Sequence, residues 1–220
     1  MFDLEFARLD DFDAGTVGLP IRRRSRSYYW RAKRGFDVGM SLVLLPPLIV
    51  GGATLLMLNP FLNTGPLLFV QTRMGRGCKP FGAIKFRTMR REAAKTRGPD
   101  DPLEVERITA LGRFLRCSRF DELPQIINVL RGEMSLIGPR PDAYDHAIAY
   151  VDAIPEYRMR YAVRPGISGL AQTQLGYAEG IDATRRKVEA DLEYIRNVGF
   201  MLEARIFWAT VLTVLGRKGA

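Results

Sequence analysis

Residues 38–58 form a run of twenty-one residues without a formal charge, and this run constrains the fold more than any other part of the chain. A helix of that length is enough to cross the hydrocarbon of a bilayer. Arg22, Arg23, Arg24, Arg26, Arg31, Lys33 and Arg34 precede it, which assigns its N-terminal side to the cytoplasm. The run begins too far along the chain to be an ordinary signal peptide, and no small-residue cleavage pattern follows it. Pro46 and Pro47 fall near its middle. Each lacks an N–H and clashes with the preceding turn, so the pair interrupts a helix. Two arrangements satisfy these facts. A kinked spanning helix carries everything after Asn59 to the far side, whereas a re-entrant hairpin dips into the bilayer and returns, keeping both basic flanks on the cytoplasmic side.

The chemistry concentrates in residues 121–141, DELPQIINVLRGEMSLIGPRP. Pro124 suits the first turn of a helix running from Gln125 to Leu130, and Gly132 is its natural stop. Asp121 and Glu122 then sit at the helix start, where unpaired N–H groups and the positive end of the dipole favour a bound phosphate or an ionised carboxylate. Pro139 and Pro141 fix the backbone on either side of Arg140, limiting where its fork points, as bidentate phosphate recognition requires. The bland alternative is a capped helix followed by a surface turn.

The formal charge of +9 over 220 residues suits anionic partners: phosphates, nucleic acid or acidic lipid headgroups. For the arginine cluster before the apolar run, snorkelling to anionic lipid headgroups is a better reading than nucleic-acid binding. Cys78 and Cys117 stand far apart and read as reduced thiols. His146 is the single histidine, which excludes a multi-histidine metal site.

Elsewhere the pattern is that of a small α/β (α+β), mainly helical domain with short strands. Residues 67–72 and 83–88 read as strands, and in the second Lys85 and Arg87 share one face while Ile84 and Phe86 share the other. A turn at 100–102 precedes a helix over 103–116, which delivers Arg116 toward the acidic pair. Residues 143–161 read as a helix interrupted at Pro155, and Arg164-Pro165-Gly166 as a tight turn. Residues 184–198 form a charged amphipathic helix. Residues 200–215 are more apolar and carry Trp208, so they lie in a membrane interface or pack on the domain's own core; Glu203 and Arg205 interrupt the apolar surface.

Five segments in order, KRGFDV (33–38), KFRTM (85–89), GRFLRCSRFDELPQ (112–125), GPRP (138–141) and YAVRPGISGLAQ (161–172), resemble the bacterial sugar transferases, the monotopic phosphoglycosyl transferases. The resemblance extends over about residues 33–215. It implies a UDP-sugar donor, undecaprenyl phosphate as acceptor, Mg²⁺ as cofactor, and two-step transfer through a covalent sugar-phosphate intermediate with release of UMP, at the start of exopolysaccharide or other glycoconjugate synthesis. By the same resemblance Asp121 is the nucleophile and Glu122, with Asp121, the metal holder. Arg116 and Arg140 neutralise the transferring phosphoryl group, and Lys85, Arg87, Arg164 and Asp191 are further substrate-binding candidates. It also favours re-entry, giving a tail (1–32), a re-entrant membrane helix (33–59) and a cytosolic catalytic domain ending in an interfacial helix (60–220), monotopic on the cytoplasmic face of the bacterial inner membrane.

One departure stands out. Where the family follows GLAQ with a stretch ending in Gly-Arg, this chain reads GLAQTQLGYAEG and places Tyr177 at the expected arginine. Arg164, Arg185 and Arg186 are candidates to replace it. A membrane-tethered hydrolase using the same acidic pair, or a noncatalytic scaffold, are the rival readings.

Overall fold

The computed structural model describes residues 26–63, 65–90, 104–175 and 181–216. Most of the N-terminal tail, with Arg22 to Arg24, the turn expected at 100–102 and Tyr177 lie outside the described residues. In chain order the elements are α1 (Arg26–Leu62), β1 (Leu68–Met74), β2 (Pro80–Phe86), α2 (Ala110–Cys117), α3 (Gln125–Arg131), β3 (Ser135–Ile137), α4 (Tyr144–Ala153), β4 (Gly166–Ser168), α5 (Leu170–Leu175), α6 (Ile181–Asn197) and α7 (Phe200–Leu215). Among the described residues helix dominates, with two two-stranded sheets.

α1 runs for 37 residues as one helix with Pro46 and Pro47 inside it, where the sequence led us to expect an interruption. A proline deletes one helical donor and crowds one carbonyl, a cost that contacts along the rest of a long helix can offset. Those contacts reach both ends. Near the start, Lys33 Nζ lies 2.7 Å from Glu203, Tyr29 OH donates to Glu203 Oε1 at 2.7 Å, and Asp37 accepts from Ser135 Oγ at 2.7 Å and from the Leu136 amide at 3.2 Å. Later, Leu55 is buried with Phe86 and Leu115, Asn59 Nδ2 donates to Gly65 O at 2.6 Å, and Asn63 Nδ2 donates to Arg87 O at 2.7 Å. The opposite side, with Leu42, Val43, Ile49, Val50, Met57 and Phe61, is exposed. Glu203, which on paper interrupted an apolar helix, thus points inward to a lysine and two tyrosines, since Tyr194 OH also donates to it at 2.7 Å.

β1 and β2 form an antiparallel hairpin with Phe69 opposite Lys85 and Arg73 opposite Phe81. β2 ends at Phe86, so Arg87 escapes the alternation that would have placed it beside Lys85. The helix expected over 103–116 is shorter: a 3-10 turn at Val105–Arg107 comes first, and Thr109 Oγ1 then caps α2 by accepting from the Gly112 amide at 3.0 Å. α3 ends as its chemistry requires, on Gly132 in the left-handed region at φ 85°.

β3 and β4 are three-residue strands in parallel, a pairing that the sequence did not reveal. The Gly138 amide donates to Ser168 O and the Gly166 amide to Pro139 O, both at 2.9 Å. A Cβ on Gly166 would lie 2.1 Å from the Gly138 nitrogen, so the GPRP and RPGISG segments can run in backbone contact only because glycines meet there. The main core gathers Met74, Val129, Met134, Ile137, Tyr157, Leu192, Ile195 and Ile206 from the hairpin, α3, β3 and the C-terminal helices. A smaller cluster of Leu55, Phe86 and Leu115, with Phe120 against it, fastens the later half of α1 to the hairpin. Each such side chain fully buried is worth about 1.5–3 kcal/mol.

Candidate active site

Asp121 and Glu122 sit on a 3-10 turn, Phe120–Glu122, just ahead of α3. Arg119 enters that turn in the left-handed region, at φ 56° and ψ 12°, a conformation uncommon for a residue with a long side chain. Two supports hold the turn. The Phe120 ring stacks on Phe86 at 5.9 Å between centroids, and α3 is tied to β2 by Asn128. Asn128 Nδ2 donates to Gly82 O at 2.7 Å and its Oδ1 accepts from the Ile84 amide at 3.1 Å, so one side-chain amide serves the free edge of β2 as a neighbouring strand would.

This docking brings Lys85 to the acidic pair, its Nζ 3.2 Å from Glu122 Oε1. Arg140 arrives from the other side. Its Nη1 donates to Glu122 Oε2 at 2.9 Å and to Ile167 O at 3.1 Å, and its Nη2 donates to Glu122 Oε1. The fork held between Pro139 and Pro141 therefore grips a carboxylate, in the geometry that also suits a phosphate. Arg116 Nε donates to Thr88 Oγ1 at 2.9 Å, with its charge felt at Asp121.

The two neighbouring carboxyls are driven apart. Burial and the adjacent Glu122 charge raise the Asp121 pKa to about 6, against the pull of Lys85, Arg140 and Arg116. For Glu122, burial also works to raise the value, but Arg140 and Lys85 outweigh it and hold the carboxyl well below the usual carboxylate range. Burial and the neighbouring Arg73 lower Lys85 to about 8, with Glu122 and Asp121 opposing. Glu122 is thus committed to its cations, while Asp121 Oδ1 is buried with no hydrogen-bond partner among the described residues. Asp121 remains ionised at neutral pH and is more basic than an ordinary aspartate, both assets in a carboxylate nucleophile.

That orphaned oxygen also tests the fit of Mg²⁺. Among the described residues no three His, Cys, Asp or Glu side chains gather into a cage. Mg²⁺ does not need one, because one or two carboxylates plus substrate phosphates commonly hold it. Asp121 Oδ1 fits as the protein ligand. Glu122 would serve only by giving up part of its hold on Lys85 or Arg140.

Three other residues expected at substrate are placed elsewhere. Arg87 is buried at the junction of α1 and β1, donating to Pro66 O at 2.7 Å and to Asn63 O. Arg164 Nε donates to Gly132 O at 2.9 Å, at the far end of α3, close to Arg34 and Arg76. Asp191, which a solvated helix face would also have explained, is fully buried, 2.7 Å from Arg160 Nε. Arg185 and Arg186 are exposed on α6.

Comparison with known proteins identifies the family. The family model described as bacterial sugar transferase matches residues 28–217. The chain belongs to the bacterial sugar transferase family. Among its relatives in that family, the UDP-glucose:undecaprenyl-phosphate glucose-1-phosphate transferase of Caulobacter vibrioides is 40% identical, over 86% of this chain and 71% of the relative. The UDP-N-acetylgalactosamine-undecaprenyl-phosphate N-acetylgalactosaminephosphotransferase of Aeromonas hydrophila is also 40% identical, over 86% of this chain but 44% of its own length. The exopolysaccharide production protein PSS of Rhizobium leguminosarum is 38% identical over 84% of this chain and 96% of the relative. This sugar transferase chain therefore spans under half of one relative and nearly all of another.

Sequence reasoning missed Asn128, Asp142 and Arg160 in this transferase. Asn128 had a faint signal, a polar residue among Ile126, Ile127, Val129 and Leu130. Nothing separates Arg160 from its neighbour Arg158 on paper.

Proposed function

We propose that the chain transfers a sugar 1-phosphate from a UDP-sugar to undecaprenyl phosphate, releasing UMP. The observation that carries this reading is the buried Asp121 oxygen left open beside a Glu122 whose partners are all cations. In the first step an Asp121 carboxylate oxygen attacks the β-phosphorus of the donor. The bond from that phosphorus to the bridging oxygen breaks, and UMP departs with the electron pair. An oxygen of undecaprenyl phosphate then attacks the same phosphorus, and the acyl phosphate bond breaks to restore Asp121. Arg140, Arg116 and Lys85 hold and neutralise the donor phosphates, where positioning and electrostatics supply most of the catalysis. Mg²⁺, when bound at Asp121, would neutralise phosphate charge and orient the donor.

In this proposal the protein is monotopic, on the cytoplasmic face where nucleotide donors are found. What supports re-entry of α1 is that its beginning and its end both touch the same domain, through Lys33 and Asp37 at one end and Leu55 and Asn63 at the other. A span would pull one of these sets away. α7 complements it with Phe200, Met201, Trp208, Leu212 and Leu215 exposed, as an interfacial helix requires.

The test is UMP release from a series of UDP-sugars, with and without undecaprenyl phosphate, and with and without a magnesium chelator. Turnover that needs acceptor and metal is expected. Sustained UMP release without acceptor would make the protein a hydrolase, and donor binding without release a scaffold.

A further inference from the structure

A guanidinium is among the most deeply buried groups of this protein. Arg160 is 1% exposed and is the largest of the fully enclosed side chains. All three of its nitrogens are used. Nε donates to Asp191 Oδ2 at 2.7 Å, Nη1 to Asp142 Oδ2 at 2.7 Å, and Nη2 to the backbone carbonyl of Arg140 at 2.8 Å. The Tyr157 ring lies 4.8 Å and the Tyr161 ring 5.6 Å from its guanidinium carbon. Asp142 is itself fixed by Tyr157 OH at 2.6 Å and by Lys187.

Two carboxylates would satisfy the charge, yet the third donor goes to the residue that forks Glu122. The reason lies in the Pro139-Arg140-Pro141 segment. Two of its three residues have no N–H, so no backbone ladder can hold it from the donor side. It is held by its carbonyls instead: Pro139 O accepts from the Gly166 amide at 2.9 Å, Arg140 O from Arg160 at 2.8 Å, and Pro141 O from Arg73 Nη1 at 2.6 Å. Arg160 takes the middle one and is anchored by α6 through Asp191. A flexible lysine, with its donors on a single atom, cannot reach two carboxylates and a carbonyl in three directions.

We propose that Arg160, anchored by Asp191 and Asp142, is a positioning residue for Arg140, fixing the backbone from which its fork reaches Glu122 and the phosphates of a nucleotide-sugar donor. This rests on the transferase reading above. It gives Asp191 a role through Arg160 rather than at substrate.

The experiment is a double-mutant cycle with Arg160→Lys and Arg140→Ala, reading kcat and KM of UMP release, with Asp191→Asn as a second, volume-preserving lesion of the same anchor. We expect Arg160→Lys to lower kcat/KM at least about tenfold in the wild-type background and less than about twofold once Arg140 is alanine, because no fork is then left to position. Asp191→Asn should show the same non-additivity with a smaller loss. Equal losses in both backgrounds, or unchanged kinetics in a folded variant, would overturn the proposal. A readout independent of turnover accompanies the cycle: side-chain N–H exchange of Arg140 in arginine-labelled protein, with Arg107 as control. Exchange at Arg140 should rise in Asp191→Asn while Arg107 is unmoved, and unchanged exchange at Arg140 would also overturn it. If the wild-type chain released no UMP from any donor, the transferase reading would fall while the exchange result still decided what Arg160 does.

Discussion

Arg140 and Glu122 form a two-pronged ion pair, with Nη1 2.9 Å from Oε2 and Nη2 on Oε1, while the preceding residue, Asp121, keeps a buried oxygen with no partner among the described residues. One carboxylate of the dyad is consumed in organising cations, and in the proposed mechanism the other is the one that reacts. The assignment is lopsided and therefore testable residue by residue.

Asp121→Asn should abolish UMP release and covalent labelling by a donor carrying a radioactive sugar, a fall of at least about a thousandfold, because an amide is a poor nucleophile at phosphorus. Glu122→Gln should instead leave labelling detectable, since its loss loosens Lys85 and Arg140 without removing the attacking atom. Labelling of the Asp121→Asn protein at the wild-type level would remove Asp121 from the mechanism.

Arg140→Lys keeps the charge and loses the fork. Transfer should fall about tenfold or more, equal to about 1.4 kcal/mol of transition-state stabilisation. Wild-type kcat/KM in this variant would reduce Arg140 to a structural partner of Glu122.

Gly51 on α1 lies at the tip of the Phe120 ring, where an added Cβ would come 2.2 Å from its Cζ. That ring cannot slide away freely, because it stacks on Phe86. Gly51→Ala should therefore displace the turn that carries Asp121, costing about 1–3 kcal/mol as overpacking does, with UMP release reduced more than donor binding. Thermal unfolding and donor titration together check this, and a wild-type unfolding midpoint would show that the helix simply moves aside.

Burial pushes the Cys78 thiol up to about 11, against the pull of Arg158. Cys117 is only partly buried. A maleimide at neutral pH should modify Cys117 in the native protein and leave Cys78 untouched until the chain is unfolded, because the thiolate is the reacting form. Mass analysis of the labelled protein decides it, and rapid native labelling of Cys78 would mean that the main core opens around Met74 and Tyr161.

The legible parts of this chain were those whose chemistry is local. Pro124 and Gly132 bracket α3 as their backbone preferences demand, and the apolar run at 38–58 became part of a helix. What escaped depends on residues far apart in sequence. β3 and β4 are three residues each, too short for any alternation to show, and they exist because Gly138 and Gly166 meet across a separation of 28 positions. Arg87 looked like a partner of Lys85 until the strand ended one residue before it. Arg160 and Asp191 carry charges that, read singly, belong at a surface, and their mutual 2.7 Å contact, with Asp142 and the Arg140 carbonyl as further partners of Arg160, is what makes burial tolerable. Of the site, Asp121, Glu122, Lys85, Arg116 and Arg140 converge, whereas the residues that hold Arg140 in place could not be read from the sequence.

Topology is the condition on which the mechanism depends. Tyr28 is exposed just ahead of the apolar stretch of α1, and Val105 is exposed well beyond it. Cysteines placed singly at these positions, in a background lacking Cys78 and Cys117, should both be shielded from an impermeant thiol reagent in intact cells, and both should react once the cells are opened. Replacing Pro46 and Pro47 with Leu restores two helix donors and removes two ring clashes, which favours a continuous span. Against it stand the packing of Leu55 on Phe86 and Leu115 and the bond from Asn63 to the Arg87 carbonyl just after β2. We expect the double Leu variant to expose the Val105 site in part and to lose UMP release in proportion, because a chain inverted in this way separates Asp121 from its nucleotide. Reaction of the Val105 site in intact cells carrying the wild-type prolines would establish a span and place the acidic pair on the wrong side of the membrane for its donor.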